Sequence, residues 1–296
     1  ETETTVETEE ETTVETEIET TEETEEETEI VTETLIDPVV APENKYYIYV
    51  PEGYDDEGDV YYPTVYLMPE DGYSCDYIED GIKDKLDSLI ASKTAVPMLV
   101  VMPEFKEGTA EEVADDYTEM LPWLIKDVEA KYHAIPDARY RGILGVGVGG
   151  YMALSTNFID NLGLFYCYGS HMGDFISDAN PYLEKGDIKT AVSGIKNLNN
   201  QYVYIDAPNG SPETTKVGNT AEIGTLLMNK ANPWVAYGVA DLTKAEYAIV
   251  DGNADSAYYL ASMERSFNRF SQKFVGHLAT ATLKLSPQAV TSANDS

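Results

Sequence analysis

The feature that most limits the fold of this chain is an alternation of short apolar runs with longer amphipathic stretches, which begins near residue 39. Runs rich in Val, Ile and Tyr predict strands at 45–51, 61–69, 97–103, 163–171, 201–208 and 245–251. Helical periodicity predicts helices at 80–92, 110–133 and 255–278. Strands alternating with helices favour a mostly parallel sheet that is covered by helices on both faces. The sequence therefore predicts an α/β fold over residues 38–280.

A run of glycines separates a strand from a helix in the middle of this pattern. The sequence YRGILGVGVGGYMALSTNF at 140–158 predicts a strand, a tight turn and a helix in that order. Glycine tolerates the strained backbone of a sharp strand-to-helix turn, so we expect such a turn at Gly147. The same run loosely matches the dinucleotide-binding pattern G-x-G-x-x-G. That pattern normally lies on the first βαβ unit, so no cofactor is predicted.

The order of these elements resembles the esterase family of the α/β-hydrolase superfamily, which includes feruloyl esterases and the esterase D/S-formylglutathione hydrolase type. The resemblance covers about residues 40–275. It rests on several segments together, among them YPTVYLMPEDG, PMLVVMPEF, RYRGILGVGVGGYMAL and AEYAIVDGNADSAYYLASMERSF. It implies a Ser nucleophile in a G-x-S-x-G turn, a general-base His before the last helix and an oxyanion hole after an early strand.

The residues at those three places differ from the pattern that the resemblance implies. Gly147 stands at the nucleophile position and Ala254 at the position of the His, so neither side chain can attack an ester or accept a proton. Pro69 and Glu70 stand where the oxyanion loop is expected, and a carboxylate there opposes a developing oxyanion. The third triad member is expected after the strand that ends near Asp206, and its identity stays open. We predict that the esterase site is inactive.

Other residues offer one weaker catalytic alternative. The chain has three histidines, His133, His171 and His277. A His at the end of a helix, such as His133, usually interacts with the helix dipole, and His277 is expected to be a packing or surface residue. Ser170 and His171 follow a strand next to the glycine turn and form the alternative. Adjacent residues on an extended chain point to opposite faces, which argues against a catalytic pair. The acidic residues show no spaced calcium loop, so no metal site is assigned.

Residues 1–36 differ sharply in composition from the rest of the chain. They consist almost entirely of Thr and Glu, and an octad recurs at 5–12, 13–20 and 21–28. Of the 18 even positions 15 are Thr, Val or Ile, whereas 13 of the 18 odd positions are Glu. Because side chains alternate faces along a strand, this parity predicts an extended strand with a β-branched stripe on one face. The apolar members of the stripe are Val6, Val14, Ile18, Ile30 and Ile36.

This segment has two open interpretations. A strand of 36 residues extends roughly 120 Å, so an ordered segment must pair with another copy of the chain rather than within its own domain. The alternative is a disordered spacer, because high charge and few apolar residues do not offset the entropy of ordering. The domain prediction is accordingly a repeat segment at 1–37, a hydrolase-like domain at 38–280 and a tail at 281–296.

The formal net charge of −35 bears on partners and location. Such acidity repels nucleic acids and anionic lipid head groups, so neither is an expected partner. No apolar stretch reaches the roughly 20 residues that span a bilayer. We expect an extracellular or cell-surface bacterial protein from which a signal peptide has been removed. Two cysteines, Cys75 and Cys167, are too few for a disulfide framework.

These observations predict a non-catalytic extracellular assembly protein built on an inactive esterase fold. It self-associates, into filaments or oligomers, through residues 1–36. A cell-surface protein that binds polysaccharide or another cell-wall ligand, with residues 1–36 as a disordered stalk, is the first alternative. An active carboxylic-ester hydrolase with an unorthodox site is the second.

Overall fold

A computed structural model describes residues 46–69, 76–104, 110–175, 186–196, 198, 201–210, 214–230 and 244–285. All of these residues belong to one compact unit, Ala41–Ser296. The predicted strand segment at 1–36, with Val6, Val14, Ile18, Ile30 and Ile36, lies outside the described residues. Glu70 and Cys75 also lie outside them.

The strands of the described residues form one seven-stranded sheet whose order is β1-β3-β2-β4-β5-β6-β7. Strand β1 runs antiparallel to β3, and every other neighbouring pair is parallel. The strands are β1 (Tyr46–Tyr49), β2 (Thr64–Met68), β3 (Leu99–Pro103), β4 (Arg141–Val146), β5 (Cys167–His171), β6 (Tyr202–Pro208) and β7 (Ala245–Val250). The predicted mostly parallel sheet is therefore confirmed. Each predicted strand begins and ends within four residues of its predicted bounds.

In the described part of the chain, six α-helices cover the sheet. They are α1 (Asp76–Ala91), α2 (Ala110–Lys131), α3 (Val148–Phe158), α4 (Ile188–Gly194), α5 (Thr214–Lys230) and α6 (Ser256–Leu285). Buried residues of α1 and α6 share one apolar cluster with one face of the sheet, and those of α2, α3, α4 and α5 share a second cluster with the other face. Helices thus lie on both faces, as predicted. None of the described helices is long and apolar enough to cross a membrane.

Glycines in the central strands let α6 approach the sheet closely. A Cβ at Gly142 in β4 would lie 2.7 Å from Phe270 Cδ2. A Cβ at Gly169 in β5 would lie 2.9 Å from Ser266 Oγ. Because both strands lack a side chain at these points, α6 packs directly on the strand backbones. This close approach brings polar residues of α6 to the buried ends of β5 and β6.

Candidate functional site

The turn between β4 and α3 has the backbone of a nucleophile elbow. Gly147 has φ 56° and ψ −119°, between the last residue of β4 and the first residue of α3. This conformation lies outside the regions that residues with a side chain normally adopt, and it costs such residues on the order of 1–3 kcal/mol. Glycine adopts it with little strain. The elbow geometry is present, and the residue at its apex has no functional group.

Close packing explains the glycines around this apex. A Cβ at Gly149 would lie 2.4 Å from the carbonyl oxygen of Pro69 and 2.5 Å from that of Met68. A Cβ at Gly145 would lie 2.3 Å from the carbonyl carbon of Gly149. The start of α3 is therefore pressed against the end of β2, with no room for larger residues. The sharp turn and this contact together place Gly147 at the carboxyl edge of the sheet.

The chain after β5 covers the apex from one side. The Gly147 N–H donates to the carbonyl oxygen of His171 at 3.0 Å, and the Asp174 N–H donates to the carbonyl oxygen of Gly147 at 2.9 Å. Met172 and Phe175, on either side of this contact, are 3% and 2% exposed. Gly147 is itself buried. Gly147 therefore has no reactive side chain, and the residues after β5 block access of a substrate to it from that side.

The turn before α6 contains Ala254 where the general base is expected. Asp255 caps α6, because its side chain accepts from the Tyr258 N–H at 2.9 Å. The same turn is tied to the end of β6, since the Gly210 N–H donates to the carbonyl oxygen of Gly252 at 2.7 Å. These hydrogen bonds hold the turn at the carboxyl ends of the strands. The methyl group of Ala254 cannot accept a proton.

The third predicted departure concerns the oxyanion loop after β2. Pro69 follows β2 directly and has no backbone N–H, so it cannot donate a hydrogen bond to an oxyanion. Its carbonyl oxygen instead faces the start of α3, as the close approach to Gly149 indicates. The next residue, Glu70, is not described by the structure.

Ser170 and His171 lie on opposite sides of the sheet, so the structure does not bring this predicted alternative pair together. The Ser170 hydroxyl is fully buried toward α3, where Cβ atoms at Gly150 and Gly173 would lie 2.7 Å and 2.5 Å from Ser170 Oγ. The His171 ring is fully buried on the α6 side. The reason is the alternation of side chains along β5. Direct proton transfer between these two side chains is therefore excluded in this conformation.

His171 belongs to a different buried array. Its Nδ1 lies 2.8 Å from Asp206 Oδ1 in β6, and its Nε2 lies 2.9 Å from Ser266 Oγ in α6. A carboxylate can only accept, so Nδ1 donates to Asp206. Ser266, His171 and Asp206 thus form a serine–histidine–carboxylate chain with hydrogen-bonding distances of a catalytic triad. All three residues are 0% exposed, and the array lies beneath α6, away from the Gly147 apex.

Three further side chains donate to the Asp206 carboxylate. Tyr258 Oη donates to Oδ1 at 2.7 Å, whereas Tyr204 Oη and Arg265 Nε donate to Oδ2, each at 2.8 Å. Burial acts to raise the pKa of Asp206, but His171, Arg265 and Tyr258 outweigh it and hold that pKa well below its usual range. Burial, together with the Asp206 charge, raises the pKa of Tyr258 far above that of a free tyrosine. The carboxylate is therefore ionised, and its hydrogen-bonding capacity is filled.

The other two histidines lie at the amino ends of the parallel strands, whereas Gly147 lies at the carboxyl ends. His133 stacks on Tyr61, with ring centroids 5.0 Å apart, close to the residues that precede β2. His277 packs edge-on against Tyr166, which precedes β5, with centroids 4.5 Å apart. Burial is the main cause that lowers the pKa of His277 below its usual value. Neither ring lies near Gly147, so neither is placed to act as a base there.

Sequence reasoning identified Gly147, Pro69 and Ala254 but missed the three α6 residues that bind the His171–Asp206 pair, namely Ser266, Tyr258 and Arg265. No local signal marks these three residues, because each is 52 to 95 residues away in sequence from the partner that it binds.

The described residues contain no group of three or more His, Cys, Asp or Glu side chains able to hold a metal ion. The glycine-rich run 145–150 forms the elbow in mid-sheet rather than a phosphate-binding turn on the first βαβ unit.

A mostly parallel sheet with a positive-φ apex between a central strand and the next helix defines the α/β-hydrolase class of protein. Within that class the chain belongs to the esterase family, because the profile described as "Putative esterase" matches residues 40–270. No curated protein sequence matches the chain.

Among the solved structures with a similar fold are three that are described as esterases. A ferulic acid esterase is 18% identical, with a TM-score of 0.61 over 77% of this chain and 92% of its own. The ferulic acid esterase AmCE1/Fae1A from Anaeromyces mucronatus is 14% identical, with a TM-score of 0.55 over 78% and 86% of the two chains. The enterobactin esterase FES from Shigella flexneri is 15% identical, with a TM-score of 0.57 over 78% of this chain and 56% of its own. These likenesses establish the fold.

Proposed function

We propose that this protein is a catalytically inactive member of the esterase family that acts outside the cell as a self-assembling structural protein. The observation that carries the first part is the apex of the elbow, where Gly147 has φ 56° and ψ −119°. The backbone that presents a nucleophile is kept, and the nucleophile is missing. Ester hydrolysis through this apex has no attacking group.

The surroundings of Gly147 support the same conclusion. Ala254 stands in the turn before α6, and Pro69 offers no N–H at the end of β2. His171, whose carbonyl oxygen accepts from the Gly147 N–H, directs its ring away from the apex to Ser266 and Asp206. Among the described residues, the positions expected for attack, for proton transfer and for oxyanion donation from the loop after β2 hold Gly147, Ala254 and Pro69, none of which supplies the required group.

The self-assembly part of the proposal rests on the sequence of residues 1–36. Its alternation gives one β-branched face and one carboxylate face, and its octads keep the same face in every repeat. A strand-patterned segment much longer than any strand of the sheet favours pairing between copies. If each copy donates a strand to the next, the contact is heterologous, and repeated contacts build a filament.

Three measurements on purified protein test this proposal, one of activity and two of assembly. Hydrolysis of p-nitrophenyl acetate is expected to equal the buffer rate. Electron microscopy and analytical ultracentrifugation of the full chain are expected to show filaments or regular oligomers, and a chain starting at Pro38 is expected to show neither. A monodisperse full-length monomer would overturn the assembly part, and turnover that co-purifies with the protein would overturn the inactive part.

One observation favours a second candidate, an ester hydrolase with an unorthodox site. Ser266, His171 and Asp206 have the order and spacing of a hydrolytic triad. Their complete burial opposes this role, because an ester reaches Ser266 only if α6 moves. The candidate requires p-nitrophenyl acetate turnover that disappears in Ser266→Ala and persists in Ser170→Ala. Turnover lost only in Ser170→Ala would assign the activity to Ser170 instead.

The predicted alternative of a polysaccharide-binding protein is tested separately. Retention of the full chain on insoluble cell-wall polysaccharides, measured against a panel of soluble competitors, is the result that this alternative requires. A chain starting at Pro38 should be retained equally, since in this alternative residues 1–36 are only a stalk.

A further inference from the structure

Strand β1 forms one edge of the sheet. It pairs with β3 on one side, from Tyr46 opposite Pro103 to Tyr49 opposite Val100. Among the residues that the structure describes, no strand pairs with its other side. In an antiparallel pair, alternate residues direct their N–H and C=O groups away from the partner strand. The outer edge of β1 therefore presents backbone groups that a further strand can pair with.

An apolar groove lies along this edge. It has a volume of about 400 Å³ and is lined by residues 47–50, by Ile82 and Lys83 of α1, and by Met102 of β3. Two of its apolar side chains, Tyr47 and Val50, are 37% and 38% exposed. An added strand would cover this exposed apolar surface with alternate side chains.

Side chains of β1 contact helices on both faces of the sheet. On the groove side, Tyr49 packs in the α1 and α6 cluster and donates its hydroxyl to Asp87 of α1 at 2.8 Å. On the other side, Tyr46 Oη donates to Asp127 Oδ2 of α2 at 2.9 Å, and Lys131 Nζ lies 2.8 Å from the same oxygen. Both sides therefore carry a lysine–aspartate ion pair, because Lys83 Nζ of the groove lies 2.6 Å from Asp87 Oδ2. The groove adds an apolar wall, which Ile82 and Met102 help to form. This wall suits the β-branched face of an added strand.

We propose that the outer edge of β1 is the acceptor for the N-terminal segment, residues 1–36, of a second copy of this chain. The inference rests on the proposed self-assembly and names the surface through which it occurs. The Val and Ile stripe enters the groove beside Val50 and Ile82, and the carboxylates lie on the α2 side near Lys131. Backbone hydrogen bonds to β1 provide affinity, and the groove selects the β-branched face.

Three features of the sequence favour a second copy over the same chain. Each octad presents the same face, so a neighbour can bind any of the three repeats, at 5–12, 13–20 or 21–28. Pro38 and Pro42 lie between the segment and β1, and prolines favour an extended connection rather than a tight return onto β1. With β1 as the acceptor, each copy has one donor segment and one acceptor surface, which is the requirement for an open head-to-tail polymer.

Charge predicts how this contact responds to salt. Residues 1–36 contain 16 Glu and no Lys or Arg, and the whole chain carries a net charge of −35. Copies therefore repel each other at low ionic strength. Screening shortens the range of this repulsion to about 8 Å at physiological ionic strength, so added salt should strengthen the assembly.

A pair of matched variants of the full-length chain tests the acceptor surface. Val50→Asp places a carboxylate in the groove, and Val60→Asp places one at an exposed valine outside the residues that line it. Analytical ultracentrifugation is expected to show that Val50→Asp weakens self-association by about tenfold or more, which corresponds to about 1.4 kcal/mol, whereas Val60→Asp leaves it unchanged. Equal circular dichroism melting curves for the two variants exclude an unfolding artefact.

Disulfide cross-linking tests whether the segment bound at β1 belongs to a second copy or to the same chain. In a Cys75→Ser background, a full chain with Val14→Cys is mixed with a differently tagged full chain with Val50→Cys, and disulfide dimers are resolved without reductant. A mixed dimer is expected. A chain with both substitutions that closes only on itself would overturn the second copy as occupant.

The outcomes separate this inference from the proposed function. Assembly that is equally strong in Val50→Asp, without a cross-link at residue 50, overturns the β1 surface and leaves self-assembly standing. A wild-type chain that stays monomeric at every salt concentration overturns both.

Discussion

His171 Nδ1 lies 2.8 Å from Asp206 Oδ1, and both side chains are 0% exposed. The two residues stand directly opposite each other on the parallel strands β5 and β6. Ser266, Tyr258 and Arg265 of α6 bind to this pair and connect the helix to the two strands. A buried carboxylate with several donors is costly to disturb, because removing its charge takes the anionic partner from buried donors, and an amide in its place turns one acceptor oxygen into a donor.

Asp206→Asn is expected to destabilise the protein strongly. The substitution leaves Arg265 and His171 without their anionic partner in a buried site, which costs about 3–5 kcal/mol. Urea unfolding followed by circular dichroism measures the change in the free energy of unfolding. Glu264→Gln is the matched control on the same helix, because its ion pair with Lys85 is exposed and contributes at most about 1 kcal/mol. Equal effects of the two variants would contradict the role of Asp206.

The contribution of Asp206 is also expected to depend on pH. Its pKa in the folded state lies well below its value in the unfolded chain, which is about 3.9. The folded state therefore gains stability from this carboxylate above that pH and loses it as the pH falls toward the folded pKa. The stability difference between wild type and Asp206→Asn should shrink between about pH 5 and about pH 3. Urea midpoints at these pH values measure it, and an unchanged difference would contradict the prediction.

Gly147→Ser is expected to lower stability without creating an esterase. A residue with a side chain at φ 56° and ψ −119° is strained, so the free energy of unfolding should fall by about 1–3 kcal/mol. Among the described residues, Ala254 occupies the position of the general base, and its methyl group cannot activate the new hydroxyl. Hydrolysis of p-nitrophenyl acetate should stay at the rate of Gly147→Ala, which carries the same backbone strain. A faster rate in Gly147→Ser would reveal a base that the geometry does not identify.

Gly149→Ala tests the close contact between α3 and the end of β2. The new methyl group would lie 2.4 Å from the carbonyl oxygen of Pro69, so the backbone must shift, and a loss of about 1–3 kcal/mol is expected. Gly218→Ala in α5 is the control, because a Cβ there meets no atom within 4 Å. That variant should gain up to about 1 kcal/mol, since alanine favours helices over glycine. Thermal unfolding of the two variants compares them directly.

Cys167 is expected to be unreactive in the folded protein. It is a free, fully buried thiol, and burial raises its pKa well above the usual value. The thiolate, which is the reactive form, is therefore scarce at mildly alkaline pH. In a Cys75→Ser background, a chromogenic disulfide reagent should label no thiol until denaturant is added, and then one. Rapid labelling of the native protein would show that β5 opens readily.

Most of the fold was predictable because its signals are local. The apolar strands β2 and β3 have the continuous hydrophobic run of buried parallel strands, and α2 and α6 have clear helical periodicity. Helices α4 and α5 were not predicted. Helix α4 has only 7 residues, and α5 contains Gly218 and Gly224, which weaken a helical pattern.

The sequence by itself predicted that the esterase site lacks its groups. Gly147 and Ala254 are recognisable because each lies in a turn next to a predicted helix, and a missing side chain is evident without coordinates. Sequence also determined that Ser170 and His171 face opposite sides, since that follows from the alternation of side chains along a strand.

Only the tertiary structure decided what His171 binds. Its partners Asp206 and Ser266 are 35 and 95 residues away in the chain. Their meeting depends on the pairing of β5 with β6 and on the close packing of α6 over Gly142 and Gly169. The strand order likewise left β1 at the edge, with a groove beside it. Local periodicity specifies which residues face the core, whereas long-range packing specifies which of them meet.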